Sequence, residues 1–118
     1  MKRVLIVDDA AFMRLTIKTV LEHNDFEIVG EAADGMEAIE QCKLLNPDII
    51  TLDITMPVMS GLQALEEIKK VCPASKVIMV SALGNGDMVK QAIIMGATTF
   101  IVKPFEKDIL IKVIQTVM

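Results

Sequence analysis

The chain has 118 residues, 53% of them hydrophobic, and a formal net charge of −4 at pH 7 from 12 Lys+Arg against 16 Asp+Glu. A single domain of that length buries a core without disulfide or metal staples, and no apolar run approaches the roughly 20 residues of a transmembrane helix. With neither Trp nor Tyr to stack on bases and no basic run, direct nucleic-acid binding is not expected, and neither is membrane insertion.

Met1-Lys2-Arg3 is followed by only four apolar residues, Val4-Leu5-Ile6-Val7, too short a stretch for a secretory signal, so a cytoplasmic protein is expected. Those four read as a strand ending on Asp8-Asp9. Met13, Ile17, Val20 and Leu21 then fall at i, i+4, i+7 and i+8, the apolar stripe of a first helix. Glu27-Ile28-Val29-Gly30-Glu31-Ala32 is a second strand whose two acids and glycine suit a sheet edge. Asp34 is the expected N-cap of a second helix starting near Gly35, with Ala38, Ile39, Cys42 and Leu45 facing inward and Asn46-Pro47 as its stop. Ile49-Ile50-Thr51-Leu52 is a third strand, ending on Asp53. A third helix follows Ser60-Gly61, carries Leu62, Leu65 and Ile68, and ends before Pro73. Val77-Ile78-Met79-Val80 is a fourth strand ending on Ser81, and a fourth helix from about Gly86 to Met95 closes on Gly96 as a left-handed cap. Phe100-Ile101-Val102 is the fifth strand, ending on Lys103, and the last helix uses Ile109, Leu110, Val113, Ile114 and Val117.

Strict alternation of five strands with five helices, joined by right-handed crossovers, predicts an α/β doubly wound parallel sheet. Near-continuous apolar strands suit the centre of such a sheet and the polar second strand its edge, which favours the flavodoxin-like order 2-1-3-4-5. Ligands of open α/β sheets bind outside the carboxyl ends of the strands, at the switch point, here between the first and third strands. Asp8, Asp9 and Asp53 therefore become neighbours, with Ser81 and Lys103 on the strands beyond.

Three adjacent carboxylates raise one another's pKa unless a cation compensates. Mg²⁺ is the hard cation that prefers such oxygens and shares its shell with phosphate. The alternative for Asp8 and Asp9 is a cap on the first helix, but one aspartate suffices for that. Asp53 is the candidate nucleophile, since a carboxylate can attack phosphorus to give an acyl phosphate. Lys103 can then neutralise phosphoryl oxygens, and Ser81 can hydrogen-bond one, with Ala82 leaving room for the group. A helix cap for Ser81 and a surface position for Lys103 are the plainer readings of each residue alone; their coincidence at consecutive strand ends favours the site. Sequence leaves the Lys103-Pro104 peptide open between cis, which would aim the lysine back into the site, and trans.

Val7-Asp8-Asp9, Asp53 with Met56-Pro57 and Ser60-Gly61, Ser81-Ala82, Gly96-Ala97 and Lys103-Pro104-Phe105, together with Ala33-Asp34-Gly35 and Glu37-Ala38, resemble the receiver domain of two-component response regulators over essentially all of residues 1–118. The run Val7-Asp8-Asp9-Ala10-Ala11-Phe12-Met13-Arg14, with Asp53-Ile54-Thr55-Met56-Pro57, is most similar to the single-domain, CheY-like chemotaxis subgroup. The resemblance implies that Asp53 accepts a phosphoryl group from a sensor histidine kinase. It implies that Asp9, Asp53 and the backbone carbonyl of Thr55 bind Mg²⁺ directly, with Asp8 acting through water. Ser81 and Lys103 would contact the phosphoryl group. Phe100 holds the aromatic switch position and would turn inward as Ser81 moves, the alternative being a static core aromatic. The signal would leave through the fourth helix, fifth strand and fifth helix, to a target such as a flagellar switch protein.

Phe100 has no hydroxyl, so an inward state gains packing without a new hydrogen bond. Leu83 is apolar where an acid or amide would orient an attacking water, which predicts a comparatively long-lived phosphoryl group. His23, the only histidine, falls at the end of the first helix and reads as a surface residue, while Cys42 and Cys72 read as reduced, partly buried thiols. The chain would catalyse its own phosphorylation and dephosphorylation without being an enzyme for an external substrate. Alternatives are a phosphorelay intermediate, a receiver domain cut from a longer regulator, and a Mg²⁺-dependent aspartyl-phosphate phosphohydrolase. The last needs a second acid near Asp53, and Ile54-Thr55 supplies none. A flavin carrier of similar fold lacks the aromatic residues and the phosphate loop it would need.

Overall fold

A computed structural model of the chain describes residues 1–56, 58–82 and 86–117. Apolar runs and amphipathic segments alternate as β1 (Lys2–Val7), α1 (Ala11–Glu22), β2 (Phe26–Ala32), α2 (Gly35–Leu45), β3 (Ile49–Asp53), α3 (Gly61–Val71), β4 (Lys76–Ala82), α4 (Gly86–Ile94), β5 (Thr99–Lys103) and α5 (Lys107–Thr116). The five strands are parallel in the order β2-β1-β3-β4-β5, the expected flavodoxin-like topology.

The sheet separates two apolar layers because strand side chains alternate between faces. Val4, Ile6, Ile49, Ile78 and Ile101 pack with Ile17, Val20 and Leu21 of α1 and Leu110 and Ile114 of α5. On the other face, Leu5, Val7, Ile50, Leu52, Val77 and Met79 pack with Ala38 and Cys42 of α2, Ala64, Leu65 and Ile68 of α3, and Val89 and Ala92 of α4. β2 lies at one edge as its acids and glycine require, and its register with β1 shifts between Val4 and Leu5. Gly30 belongs there for packing: a Cβ would come within 2.8 Å of the Leu45 side chain.

The helix ends follow local chemistry. Asp34 caps α2 by accepting the Glu37 N–H at 2.9 Å, and Asn46 takes the left-handed conformation at its C-terminus. Ser60 and Gln63 form a reciprocal capping box on α3. α4 ends at Ile94, one residue earlier than expected, and Gly96 leaves it at φ +112°. α5 departs from expectation at Ile109, which is 47% exposed although it belongs to the apolar series. Five apolar residues at those spacings span a wider arc than the sheet can cover, so one must lie at its margin.

Candidate functional site

The carboxyl ends of β1, β3, β4 and β5 bring the sequence-derived residues to one end of the sheet. Asp8, Asp9 and Asp53 each offer a carboxylate oxygen within 4.8 Å of the others, with Asp8 and Asp53 buried and Asp9 exposed. Lys103 Nζ donates to Asp8 Oδ2 at 2.9 Å and lies 3.5 Å from Asp53 Oδ1. The Lys103-Pro104 peptide is cis.

Asp8 is held on every side. Its N–H donates to the Ala32 carbonyl of β2 at 3.1 Å, its Oδ1 accepts the Ala10 N–H at 2.9 Å, and its own carbonyl accepts Arg14 Nη1 at 2.7 Å. The helix-cap alternative for Asp8 and Asp9 is not what the backbone adopts. The N-cap of α1 is Ala10, whose own side chain makes no capping hydrogen bond. Asp53, the last residue of the central strand, accepts the Thr55 N–H on Oδ1 at 3.3 Å. Among the described residues no protein donor reaches its Oδ2, the atom left for incoming chemistry.

The electrostatics follow from that crowding. Burial, and then the neighbouring charge of Asp8, push the Asp53 carboxyl up from 3.8 to about 6, against the lowering influence of Lys103 and the Thr55 N–H. Burial works against the Lys103 ammonium, but the hydrogen bond to Asp8 and the charges of Asp53 and Asp8 outweigh it, so its pKa is held above the ordinary 10.5. One ammonium for three carboxylates leaves a deficit of positive charge, and an all-oxygen set of this kind fits Mg²⁺.

Ser81 lies within β4 rather than after it, one residue beyond Val80, the partner of Asp53 in the sheet register. Its Oγ is buried and has no hydrogen-bond partner among the described residues. A buried hydroxyl of this kind at a site can pair with a ligand oxygen or with water. By strand alternation Ser81 shares a face with Met79, whose partner across the β4–β5 ladder is Phe100. Phe100 is 42% exposed and so is not part of the buried core here.

Other residues stand as the sequence placed them: His23 is the exposed C-cap of α1, and Cys42 and Cys72 are free and buried. Burial, reinforced by the adjacent Cys72, pushes the Cys42 thiol up to about 12. Leu83 and Pro57 fall outside the described residues. Two contributors escaped sequence reasoning. Arg14 reaches from α1 to the Asp8 carbonyl, a contact whose only sequence signal is a basic residue one turn into the helix after the acidic pair. Gly61 packs its backbone directly on the Asp53 carbonyl, with no room for a Cβ.

Residues 4–115 match the response regulator receiver domain. The chain belongs to the response regulator receiver family. Receiver relatives of similar length include a chemotaxis protein CheY from Thermotoga maritima, 50% identical over 98% of this chain and 97% of its own. Another CheY, from Bacillus subtilis, is 54% identical over 90% of this chain and 88% of its own. A solved CheX–CheY–BeF3–Mg²⁺ complex from Borrelia burgdorferi matches with TM-score 0.93 and 42% identity, over 98% of this chain and 88% of that one. As a receiver domain, the protein is a signalling module switched by phosphorylation of an aspartate.

Proposed function

We propose that this receiver domain is a chemotaxis response regulator whose phospho-acceptor is Asp53, working with Mg²⁺ in the cytoplasm. The observation that carries the assignment is the convergence of Asp8, Asp9, Asp53 and Lys103, with Asp53 Oδ2 reached by no donor among the described residues. In the transfer, an Asp53 carboxylate oxygen attacks the phosphorus of a phosphohistidine on the donor kinase. The O–P bond forms as the P–N bond breaks, and the imidazole nitrogen keeps the electron pair and takes up a proton. Lys103 neutralises charge on the transferring group, and Ser81 Oγ finds in a phosphoryl oxygen the partner it lacks. Asp9, Asp53 and the Thr55 carbonyl would hold Mg²⁺, with Asp8 through water; the ion supplies charge neutralisation on the phosphoryl oxygens. The reaction modifies the chain itself and turns over no external substrate.

The outgoing face is supported by exposed apolar side chains on the three elements named: Ile93 and Ile94 of α4, Phe100 of β5 and Ile109 of α5. A partner of the flagellar-switch type would cover them. Cytoplasmic placement is supported by two free, buried thiols, and no described helix is long and apolar enough to cross a membrane. Incubation with Mg²⁺ and a small acyl phosphate tests the reading. A covalent phosphoryl adduct on the wild-type chain, lost in Asp53→Asn and absent with EDTA, is expected. An adduct that survives Asp53→Asn overturns the assignment, and sustained phosphate release at high turnover would indicate the hydrolase instead.

A further inference from the structure

We propose that Arg14 is a positioning residue for the metal site, a guanidinium clamp that fixes the peptide plane between Asp8 and Asp9 so that both carboxylates face Asp53. The inference rests on the Mg²⁺ reading above. The Asp8 carbonyl and the Asp9 N–H belong to one rigid peptide unit. A bond to that carbonyl therefore sets the direction in which the chain leaves for Asp9. Arg14 Nη1 makes this bond at 2.7 Å, a short, charge-assisted contact.

The turn needs such a device. Asp8 is pinned by four contacts, but Asp9 is exposed and Ala10, the N-cap of α1, has no side chain that caps the helix. The Ala10 N–H on Asp8 Oδ1 closes the turn across Asp9, but among the described residues no bond holds the Asp9 carboxylate, which mutual repulsion would swing outward when no cation is bound. The clamp is itself oriented. Arg14 Nε donates to Glu31 Oε1 on β2 at 3.1 Å, and Lys18 Nζ lies 3.9 Å from Glu31 Oε2. With the Arg14 side chain only 19% exposed, its planar fork is held in one orientation rather than waving in solvent. Glu31 thus has a use beyond marking an edge strand: it connects β2, through Arg14, to the residue that opens the site.

Groups that orient metal ligands without touching the ion commonly change affinity by about tenfold or more when removed. Mg²⁺ demands near-ideal octahedral geometry, whereas Ca²⁺ accepts irregular shells. A loosened Asp9 should therefore damage Mg²⁺ binding more than Ca²⁺ binding. A general loss of stability would lower both alike.

The test is calorimetric titration of the full chain with Mg²⁺ and with Ca²⁺, for wild type, Arg14→Ala and Glu31→Ala, with amide NMR spectra to verify folding. Arg14→Ala is expected to lose about tenfold in Mg²⁺ affinity and by a smaller factor for Ca²⁺. Glu31→Ala should shift the same ratio in the same direction by less. Should Arg14→Ala fail to fold, the Glu31→Ala ratio decides. Equal losses for the two ions, or no loss, overturn the clamp while leaving the Mg²⁺ reading intact. A wild-type chain that binds no Mg²⁺ overturns both.

Discussion

At the residue scale the site is built against stability. Asp53 carries its proton to about pH 6 in the metal-free fold, whereas an unfolded aspartate loses it near 3.8. The folded state therefore binds more protons between those values, and its stability falls as pH rises from about 4 to 6 and is level above that. Each pKa unit corresponds to about 1.4 kcal/mol, so the ionised carboxylate costs on the order of 2–3 kcal/mol at neutral pH. Asp53→Asn removes that cost. Urea denaturation in EDTA should show the variant more stable than wild type at pH 7 by about 1–3 kcal/mol, with the difference shrinking toward zero near pH 4. A difference that does not change with pH would mean that burial and the charge of Asp8 do not raise the Asp53 pKa.

At the scale of elements, α3 is seated on the end of β3 by the least adjustable groups available. Its capping box holds Ser60 and Gln63 together, and the Gly61 N–H donates to the Ile54 carbonyl at 2.7 Å. A Cβ on Gly61 would collide with the Asp53 carbonyl oxygen and lie 2.6 Å from the Ile54 Cα, both backbone atoms that cannot turn aside. Gly61→Ala should cost about 1–3 kcal/mol in urea denaturation and weaken Mg²⁺ binding by moving Asp53. Gly86 at the start of α4 is the control, because a Cβ there meets nothing within 4 Å, and Gly86→Ala should be neutral or stabilising by a few tenths of a kcal/mol. The contrast marks what was legible in the chain. Strand order followed from the polarity of Glu27 and Glu31, and the α2 cap from Asp34, because both are local patterns read by periodicity and by side-chain acceptors. The Gly61 contact with Asp53 and the Arg14 bond to Asp8 span only eight and six residues, but each joins a helix to the end of a strand across a loop, and no periodicity encodes such a contact. Ile109 was misplaced for a related reason: apolar spacing reports the helix face but not where the sheet stops covering it.

At the scale of the whole molecule, two complete core layers surround a site that is short of positive charge, and the layers meet the outgoing surface through β4 and β5. Ser81 and Phe100 stand on the same face of that strand pair, one buried and without a partner among the described residues, the other 42% exposed. If a phosphoryl group draws in the Ser81 hydroxyl, the packing on this face would change, and the half-exposed ring of Phe100 would be the group to follow. Such a shift exists only if the two states differ in how much they gain from the ring. Truncating a half-exposed Phe should cost about 1 kcal/mol, whereas truncating a buried one costs about 3–5. Phe100→Ala is therefore expected to destabilise the free protein by about 1 kcal/mol and the protein saturated with Mg²⁺ and BeF3 by about 3. By linkage, the variant should also bind BeF3 more weakly, by the factor matching that difference, about thirtyfold. Denaturation with and without Mg²⁺ and BeF3, set beside a direct BeF3 titration, gives both numbers independently. Equal destabilisation in the two states, with unchanged BeF3 affinity, would leave Phe100 as a surface residue and place the switch elsewhere on the α4–β5–α5 side.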